Sequence, residues 1–325
     1  MLQFLLRRLT GAVVIMFLIG AFTFFLFYTI PQDFAELSCG KNCTPENIAN
    51  IRENLGLDKP ITSQFWEFMG GIVAGRDFAQ GHCSAPCLGL SFSTQEFVWD
   101  SIIDRFPLTL SLTVGGLVIF LTLGLGSGML AAWKRGTSLD RIVSGASMVL
   151  SSFQIYFLGP IVLGLFVYST GWLENPEYVP FTEDPAGWVV GMLIPWAVMA
   201  TIFTAQYTRM ARSTMIEQLQ EEHVRTARAK GMKQRYVFFR YAWRGSLTPI
   251  VTILGMDLSG LLAGAVVTEF TFDLAGIGRL AVDSSLTKDL PLTMGVMLFG
   301  AFFILILNIL VDLAYAYIDP RVRLA

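Results

Sequence analysis

Residues 106–133 read FPLTLSLTVGGLVIFLTLGLGSGMLAAW, which is 28 residues in succession without one charged side chain. At 1.5 Å per residue, a helix of this length extends about 42 Å, whereas a bilayer has a hydrocarbon core of about 30 Å. A helix buried in a soluble protein rarely exceeds about 20 residues without charge. This stretch therefore predicts a helix that spans a membrane.

Five further stretches are similar, and Asp257 is the only charged residue in any of them. Their composition agrees with that of the whole chain, which is 54% hydrophobic and 15% charged, with a mean hydropathy of +0.57. An average soluble domain carries about 25% charged residues, so an ordinary soluble enzyme and a disordered chain are both excluded. The sequence predicts an all-α, polytopic membrane protein with six transmembrane helices. The other five spans are residues 9–30, 142–173, 185–208, 245–268 and 290–311.

The chain divides into three segments. Residues 1–30 hold the first span, preceded by an amphipathic stretch with Arg7 and Arg8 that we expect to lie flat on the membrane surface. The apolar part is longer than the 7–15 residues of a signal peptide, so we expect a retained helix. Residues 31–101 form a long polar loop outside the cell, and residues 102–325 carry spans two to six.

Basic residues are unevenly distributed between the two sides of the predicted membrane. Nine of the 23 Lys and Arg residues lie at 209–248, between spans four and five, whereas residues 174–184 contain four acids and no base. Short cytoplasmic loops are enriched in Lys and Arg. We therefore expect the loop at 209–248 and both termini in the cytoplasm.

All four cysteines lie in the predicted outer loop, as two C-x3-C pairs. Thiols outside a cell oxidise, so disulfides are the favoured interpretation, and the two local pairings are preferred among the three possible connectivities. A structural zinc ion with four cysteine ligands is the alternative. Disulfides would stiffen the loop for docking of an external partner. The cysteines are Cys39, Cys43, Cys83 and Cys87.

The basic loop contains a short helical pattern, EHVRTARAKG, at residues 222–231. Its small side chains let another protein approach closely, and its basic side chains can meet acidic groups, as in a helix inserted into a partner's groove. Gly231 is typical of the position just beyond a helix C-terminus. Attraction to anionic lipid also accounts for part of the charge. The predicted coupling residues are Glu222, Arg225, Thr226, Ala227, Arg228, Ala229, Lys230 and Gly231.

This segment resembles the cytoplasmic coupling loop of binding-protein-dependent ABC importer permeases. It is most similar to the dipeptide, oligopeptide and nickel branch, in which VRTARAKG is typical and Pro249 follows Gly231 at a spacing of 18 residues. Tyr241 and Gly245 stand where other residues are frequent in the family, and we expect neither to touch the coupling helix.

Three other motifs resemble the same family. Ala275 replaces the proline usual before Gly276, so the turn there is expected to be looser. The resemblance covers nearly the whole chain, and the long first outer loop is most similar to that of the B-type subunit. The motifs are NLGLDKPI at 54–61, GAVVTEFTF followed by GIGRL at 264–280, and NILVD followed by DPRVR at 308–323.

The resemblance implies a type I ABC permease in a prokaryotic inner membrane, which forms half of the translocation path for dipeptides or oligopeptides. Implied partners are a second homologous permease, two ABC ATPase subunits that bind ATP and Mg²⁺, an extracytoplasmic solute-binding protein and the lipid bilayer. It implies a noncatalytic subunit without a metal, a cofactor or a nucleic-acid partner. Nickel, haem and peptide-like chelates are alternative substrates within the family.

The chain lacks the motifs of an independent motor. It has neither a G-x4-G-K-S/T phosphate loop nor an H-E-x-x-H zinc motif. His82 and His223 lie on opposite sides of the predicted membrane, so they cannot share a site. Energy for active transport is therefore expected from a partner that binds ATP. A self-sufficient secondary transporter, the alternative, predicts inverted repeats and several intramembrane charges, which are not apparent.

Polar residues inside the spans are candidates for the translocation path. A charge at mid-bilayer costs about 2.5–3.5 kcal/mol, so Asp257 should either line the path, where it could meet a substrate ammonium group, or form an interhelical hydrogen bond. Gln154 with Pro160 indicates a kink, an interhelical bond or a pore contact. Glu269 is expected near the outer end of span five, as a gate or folding contact. Seven glycines are expected to allow close helix contact: Gly115, Gly116, Gly124, Gly126, Gly128, Gly260 and Gly264.

Overall fold

The computed structural model describes residues 2–29, 59–78 and 81–318, nearly all in helices. Predictions for Cys39, Cys43 and parts of the motifs at 54–61 and 308–323 lie outside the described residues. The short strands β1 (Arg76–Phe78) and β2 (Gly81–Cys83) are antiparallel. The helices are α1 (Leu2–Thr29), α2 (Ile61–Ala74), α3 (Val98–Trp133), α4 (Ser138–Leu150), α5 (Ile155–Val162), π1 (Leu163–Ser169), α6 (Pro185–Gln218), α7 (Glu222–Ala229), α8 (Gln234–Tyr236), π2 (Val237–Ala242), α9 (Trp243–Ala263), α10 (Val266–Thr271), α11 (Ile277–Leu286) and α12 (Leu290–Ile318).

The described helices include five or six candidate membrane spans. Five are long and apolar enough to cross a bilayer: α1, α3, α6, the run from α8 through π2 to α9, and α12. The bent pair formed by α4 and α5 with π1 makes a sixth if it is counted as one span. The predicted all-α polytopic fold is therefore confirmed, and the predicted third span is bent rather than straight.

The break in the third span lies at its only glutamine. The axes on either side of residues 151–154 differ by 96°. Gln154 has an extended backbone (φ −103°, ψ 151°) and directly precedes α5. Pro160 lies inside α5 and has no N–H to donate, and the helix widens to the π form three residues later, at Leu163. The predicted kink is present, and its sharp turn is at Gln154.

Two other segments differ from the expectation. The described helix α1 is continuous from Leu2, so Arg7 and Arg8 belong to the helix of the first span rather than to a separate surface segment. The fifth span ends at Ala263, because Gly264 has a φ of 137°, a backbone conformation that interrupts a helix. Glu269 therefore lies on the separate short helix α10.

One compact unit comprises the described residues up to 107 together with residues 275–305. Asp289, buried just before α12, accepts hydrogen bonds from Ser91 Oγ (2.6 Å) and from Ser93 Oγ (2.7 Å) and N (2.9 Å). These bonds fasten the loop before α3 to the start of α12. The buried apolar core of this unit includes Phe24, Phe65, Val98, Ile102, Ile277 and Leu298.

The other compact unit comprises residues 108–274 and 306–325. Its core lies where α3, α6 and α9 meet, and the glycines of α3 let α6 approach. A Cβ added at Gly115 would lie 2.0 Å from the Trp196 ring, and one at Gly128 would lie 2.6 Å from the Thr208 carbonyl oxygen. The core includes Leu112, Phe120, Met199, Tyr207 and Ile250.

The prediction that glycines allow close helix contact is confirmed for four positions of α3. Besides Gly115 and Gly128, these are Gly116, which faces the Met199 side chain, and Gly124, which faces Tyr207. It is wrong within this chain for Gly126 and Gly260, since a Cβ at either would meet nothing within 4 Å.

Candidate coupling helix and translocation residues

Helix α7 forms where the sequence predicts the coupling helix, and one face of it is attached to its own chain. Val224 is fully buried and Ala227 is 3% exposed. Both contact Val237, the first residue of π2, and Leu219 and Met232 pack around them. Ala227, predicted as a coupling contact, therefore packs against its own chain.

The opposite face of α7 is exposed. Arg225 Nη1 lies 3.3 Å from Glu222 Oε1, and Thr226 Oγ1 donates to the Glu222 carbonyl oxygen at 2.9 Å. These contacts are local, so they leave the face accessible. The exposed predicted residues are Glu222, Arg225, Thr226, Arg228, Ala229, Lys230 and Gly231.

Gly231 ends the helix in a Schellman motif. Its φ is +75°, its N–H donates to the Arg228 carbonyl oxygen at 2.9 Å, and the Met232 N–H donates to the Ala227 carbonyl oxygen at 3.4 Å. Met232 also packs on the Ala227 cluster, which is the apolar contact that usually accompanies this motif. The glycine is thus required by the backbone.

The base of α7 is connected to two predicted spans. Leu219, in the short link after α6, contacts both the Val224 cluster and a second buried cluster around Met215 and Phe238. Tyr241 of π2 also packs against the Val224 cluster. This cluster includes Val237 of π2 as well as residues of α7. Helix α7 is thus packed against the end of α6 and the start of π2.

Asp257 forms a hydrogen bond between two helices. Tyr207 Oη of α6 donates to Asp257 Oδ2 of α9 at 2.9 Å. Tyr207 is fully buried and its ring centroid lies 5.1 Å from that of Phe120. The sequence did not single out Tyr207, although it is the second-to-last residue of an uncharged span, where a tyrosine needs a partner for its hydroxyl.

The other two candidates for the path are separate from Asp257. Glu269 is fully buried on α10 and accepts a hydrogen bond from Thr109 Oγ1 at 2.8 Å. Gln154 is exposed at the bend of the third span. No hydrogen bond joins any two of these three side chains within the part of the chain that the structure describes.

Family models match almost the whole sequence. A model described as "Binding-protein-dependent transport system inner membrane component" matches residues 124–324. Its N-terminal companion, "Binding-prot-dependent transport system membrane comp, N-term", matches residues 1–113. The chain belongs to this family. It is thus a multi-pass, noncatalytic permease component of a binding-protein-dependent transport system.

Two relatives of the permease carry substrate names. The "Di/tripeptide transport system permease protein DppB" of Pseudomonas aeruginosa (strain UCBPP-PA14) is 34% identical over 344 residues, with 99% of each chain covered. The "Dipeptide transport system permease protein DppB" of Escherichia coli (strain K12) is 34% identical over 350 residues, again with 99% of each chain covered. The similarity therefore extends over the full permease.

The permease contains an ion pair that sequence patterns did not reveal. Arg212, near the end of α6, donates from Nε to Asp140 Oδ1 (2.6 Å) and from Nη2 to Oδ2 (2.9 Å), and the Gly136 N–H donates to Oδ2 (3.0 Å). Both residues lie outside the uncharged spans. The Asp140 carboxylate therefore has a hydrogen-bond donor at each of its two oxygens.

The described part of the permease's loop between α1 and α3 contains a disulfide between Cys83 and Cys87, with a Cα–Cα distance of 5.6 Å. This is the local pairing expected for these two residues, and it removes both sulfurs from a four-cysteine zinc site. Beside it, His82 Nδ1 lies 2.6 Å from Asp77 Oδ1 at the surface. Across residues 2–29, 59–78 and 81–318, no group of three His, Cys, Asp or Glu side chains is placed to hold a metal ion.

Proposed function

We propose that this permease is one of two membrane subunits of an ATP-driven ABC importer for dipeptides or oligopeptides, and that α7 couples it to an ATPase subunit. The observation that carries the coupling role is the division of α7 into two faces. Val224 and Ala227 fix one face to the chain, while charged and small side chains stay exposed on the other. The peptide substrate is supported by full-length similarity to peptide permeases.

The mechanism follows from how α7 is attached. An ATPase subunit that grips the exposed face moves a helix with no freedom to slide on its own chain, because Val224 and Ala227 are fully packed. The movement passes through Leu219 to α6 and through Val237 to π2 and α9. Both helices then shift relative to the membrane, which alternates access to the path.

The complete importer has four membrane-associated subunits in this proposal. A second, homologous permease completes the path, and two ATPase subunits bind ATP and Mg²⁺. An extracytoplasmic binding protein delivers the peptide to the outer loops. This chain itself binds no cofactor, and both of its termini lie in the cytoplasm. The excess of basic residues at 209–248 supports that orientation.

Asp257 is the proposed contact for the substrate ammonium group. Its Oδ2 is occupied by the Tyr207 hydroxyl, which orients the carboxylate, and the side chain is only partly buried. The bond with Tyr207 agrees equally well with the alternative role of Asp257, which is an interhelical hydrogen bond. A transport measurement is therefore needed to distinguish the two roles. Glu269 and Gln154 stay proposed residues of the translocation path, and we assign no specific substrate contact to either.

The coupling proposal is tested with Ala229→Trp in the complete complex, measuring peptide uptake and ATP hydrolysis together. We expect uptake to fall at least tenfold while the variant still inserts, because the indole occupies the exposed face. Ser213→Trp, an exposed change on α6 on the same side of the membrane, is the control and should retain uptake. Full transport by Ala229→Trp would reject the coupling role.

The orientation is tested separately with Ala229→Cys and a membrane-impermeant maleimide, using the unaltered chain as the blank. Labelling is expected only in inside-out vesicles. Labelling in right-side-out vesicles would place α7 outside the cell and overturn the whole proposal. Purification without any ATPase subunit would favour a self-sufficient transporter.

A further inference from the structure

A cavity of about 450 Å³ lies beside the start of π2, on the side of the molecule that carries the basic loop. One wall is formed by the last two turns of α3, with Gly126, Leu130 and Trp133. The other wall is formed by Phe238 and Phe239. These two walls carry no charged side chain and are apolar.

Three aromatic rings pack together at one end of the cavity. The Trp133 and Phe238 ring centroids are 4.8 Å apart and nearly perpendicular, and the Trp133 and Phe239 centroids are 6.3 Å apart. Phe239 is 53% exposed and Leu130 is 44% exposed. Tryptophan is enriched at the level of lipid headgroups, with its ring body against the apolar region. Trp133 therefore marks the membrane interface.

The cavity runs from that interface into the hydrocarbon region. Gly126 lies seven residues before Trp133 on α3, which corresponds to a depth of about 10 Å along the helix. A side chain at this position would fill the space, and glycine leaves it open, since nothing lies within 4 Å of an added Cβ.

Positive charge surrounds the mouth of the cavity. Arg235 lines it, is exposed, and has no hydrogen-bond or ion-pair partner among the residues that the structure describes. Lys134 and Arg135 follow Trp133 directly and are exposed too. No acidic residue lines the cavity. The site thus combines a guanidinium that has no partner among the described residues with an apolar cavity.

We propose that this cavity binds one anionic phospholipid from the leaflet that faces the basic loop. The headgroup phosphate pairs with Arg235 at the mouth, and an acyl chain follows the open surface at Gly126 and Leu130. Basic pockets between membrane helices are suited to such headgroups, and each basic residue near the surface contributes about 1 kcal/mol to the attraction. Because the cavity contacts Phe238, which packs near the base of α7, a bound lipid would also support the coupling loop.

The test uses the complete complex, purified with its partner subunits and stripped of lipid. It is titrated with phosphatidylglycerol and with phosphatidylcholine of identical acyl chains, and bound lipids are counted by native mass spectrometry. We expect one phosphatidylglycerol to bind tighter than phosphatidylcholine. Arg235→Gln should weaken the binding of phosphatidylglycerol about fivefold and leave the binding of phosphatidylcholine unchanged. Gly126→Leu should weaken the binding of both lipids, because its side chain would fill the cavity.

Matched controls separate this site from general surface charge. Arg141→Gln removes an exposed cation from α4, and Gly145→Leu adds the same side chain where an added Cβ also meets nothing within 4 Å. Both should bind lipid like the unaltered complex. Equal affinity of the unaltered complex for the two lipids, or an unchanged preference in Arg235→Gln, would overturn the proposal. A photo-crosslinker at Leu130 that attaches to a protein subunit instead of lipid would also overturn it, because the cavity would then be a subunit interface.

Discussion

Arg212 and Asp140 join α6 to the start of α4 through two parallel hydrogen bonds of 2.6 and 2.9 Å. The Asp140 side chain is 6% exposed and that of Arg212 is 31% exposed, so the pair is largely removed from water. It holds the beginning of the broken third span against the helix that leads to α7. The pair therefore fixes α6 to α4 close to the point where the chain continues into α7.

We predict that Asp140→Asn destabilises the permease by about 3 kcal/mol, because the change leaves the Arg212 charge partly buried without its counterion. Thermal unfolding of the purified complex measures the effect, and Arg141→Gln, exposed one position further on, should be neutral. Equal unfolding midpoints for Asp140→Asn and Arg141→Gln would contradict this account.

Gly231→Val is expected to impair coupling more than Gly231→Asn. A left-handed backbone costs a residue with a Cβ about 1–2 kcal/mol, asparagine tolerates it best, and valine is branched at Cβ. The φ of +75° therefore distorts the end of α7 in the valine variant. The ratio of peptide uptake to ATP hydrolysis in the complete complex reports the difference. Equal ratios for both variants would show that the Schellman motif is irrelevant to coupling.

Gly128→Ala and Gly126→Ala form a matched pair on α3. At Gly128 the new methyl group would meet the Thr208 carbonyl oxygen at 2.6 Å and the Ala211 Cβ at 2.7 Å, atoms that are rigid parts of α6. We expect a loss of about 1–3 kcal/mol from overpacking. Gly126→Ala meets no neighbour and should be neutral or slightly stabilising. Thermal unfolding of both variants checks the prediction, which fails if their midpoints coincide.

Asp257→Asn should lower uptake of a dipeptide with a free amino terminus at least tenfold, because the amide carries no charge for the ammonium group. Tyr207→Phe removes only the hydroxyl and should cost about 1 kcal/mol of stability, with a smaller change in uptake. Competition with an N-acetylated dipeptide separates the two effects. If Asp257→Asn imports both peptides like the unaltered permease, Asp257 serves only as the hydrogen-bond partner of Tyr207.

Sequence patterns predict the elements of this permease well where one physical property dominates. Long uncharged stretches require helices in a membrane, so the spans could be located without a structure. Helix α7 was also predictable, because its end depends on a local requirement for positive φ at Gly231. The bend at Gln154 was expected from polar and proline signals, whereas its angle of 96° was not, since neighbouring helices set it.

Contacts between distant residues had to come from the fold. Arg212 looked like one of nine bases in a cytoplasmic loop, and its pairing with Asp140 depends on how α4 meets α6. Likewise, Ala227 and Ala229 are identical letters in one motif, but helical geometry turns the first toward Val237 and leaves the second exposed. Hydropathy and local backbone preference act along the chain and can be read from neighbours. Residues separated by tens of positions come into contact only when the helices pack, so these contacts can be identified only in the folded structure.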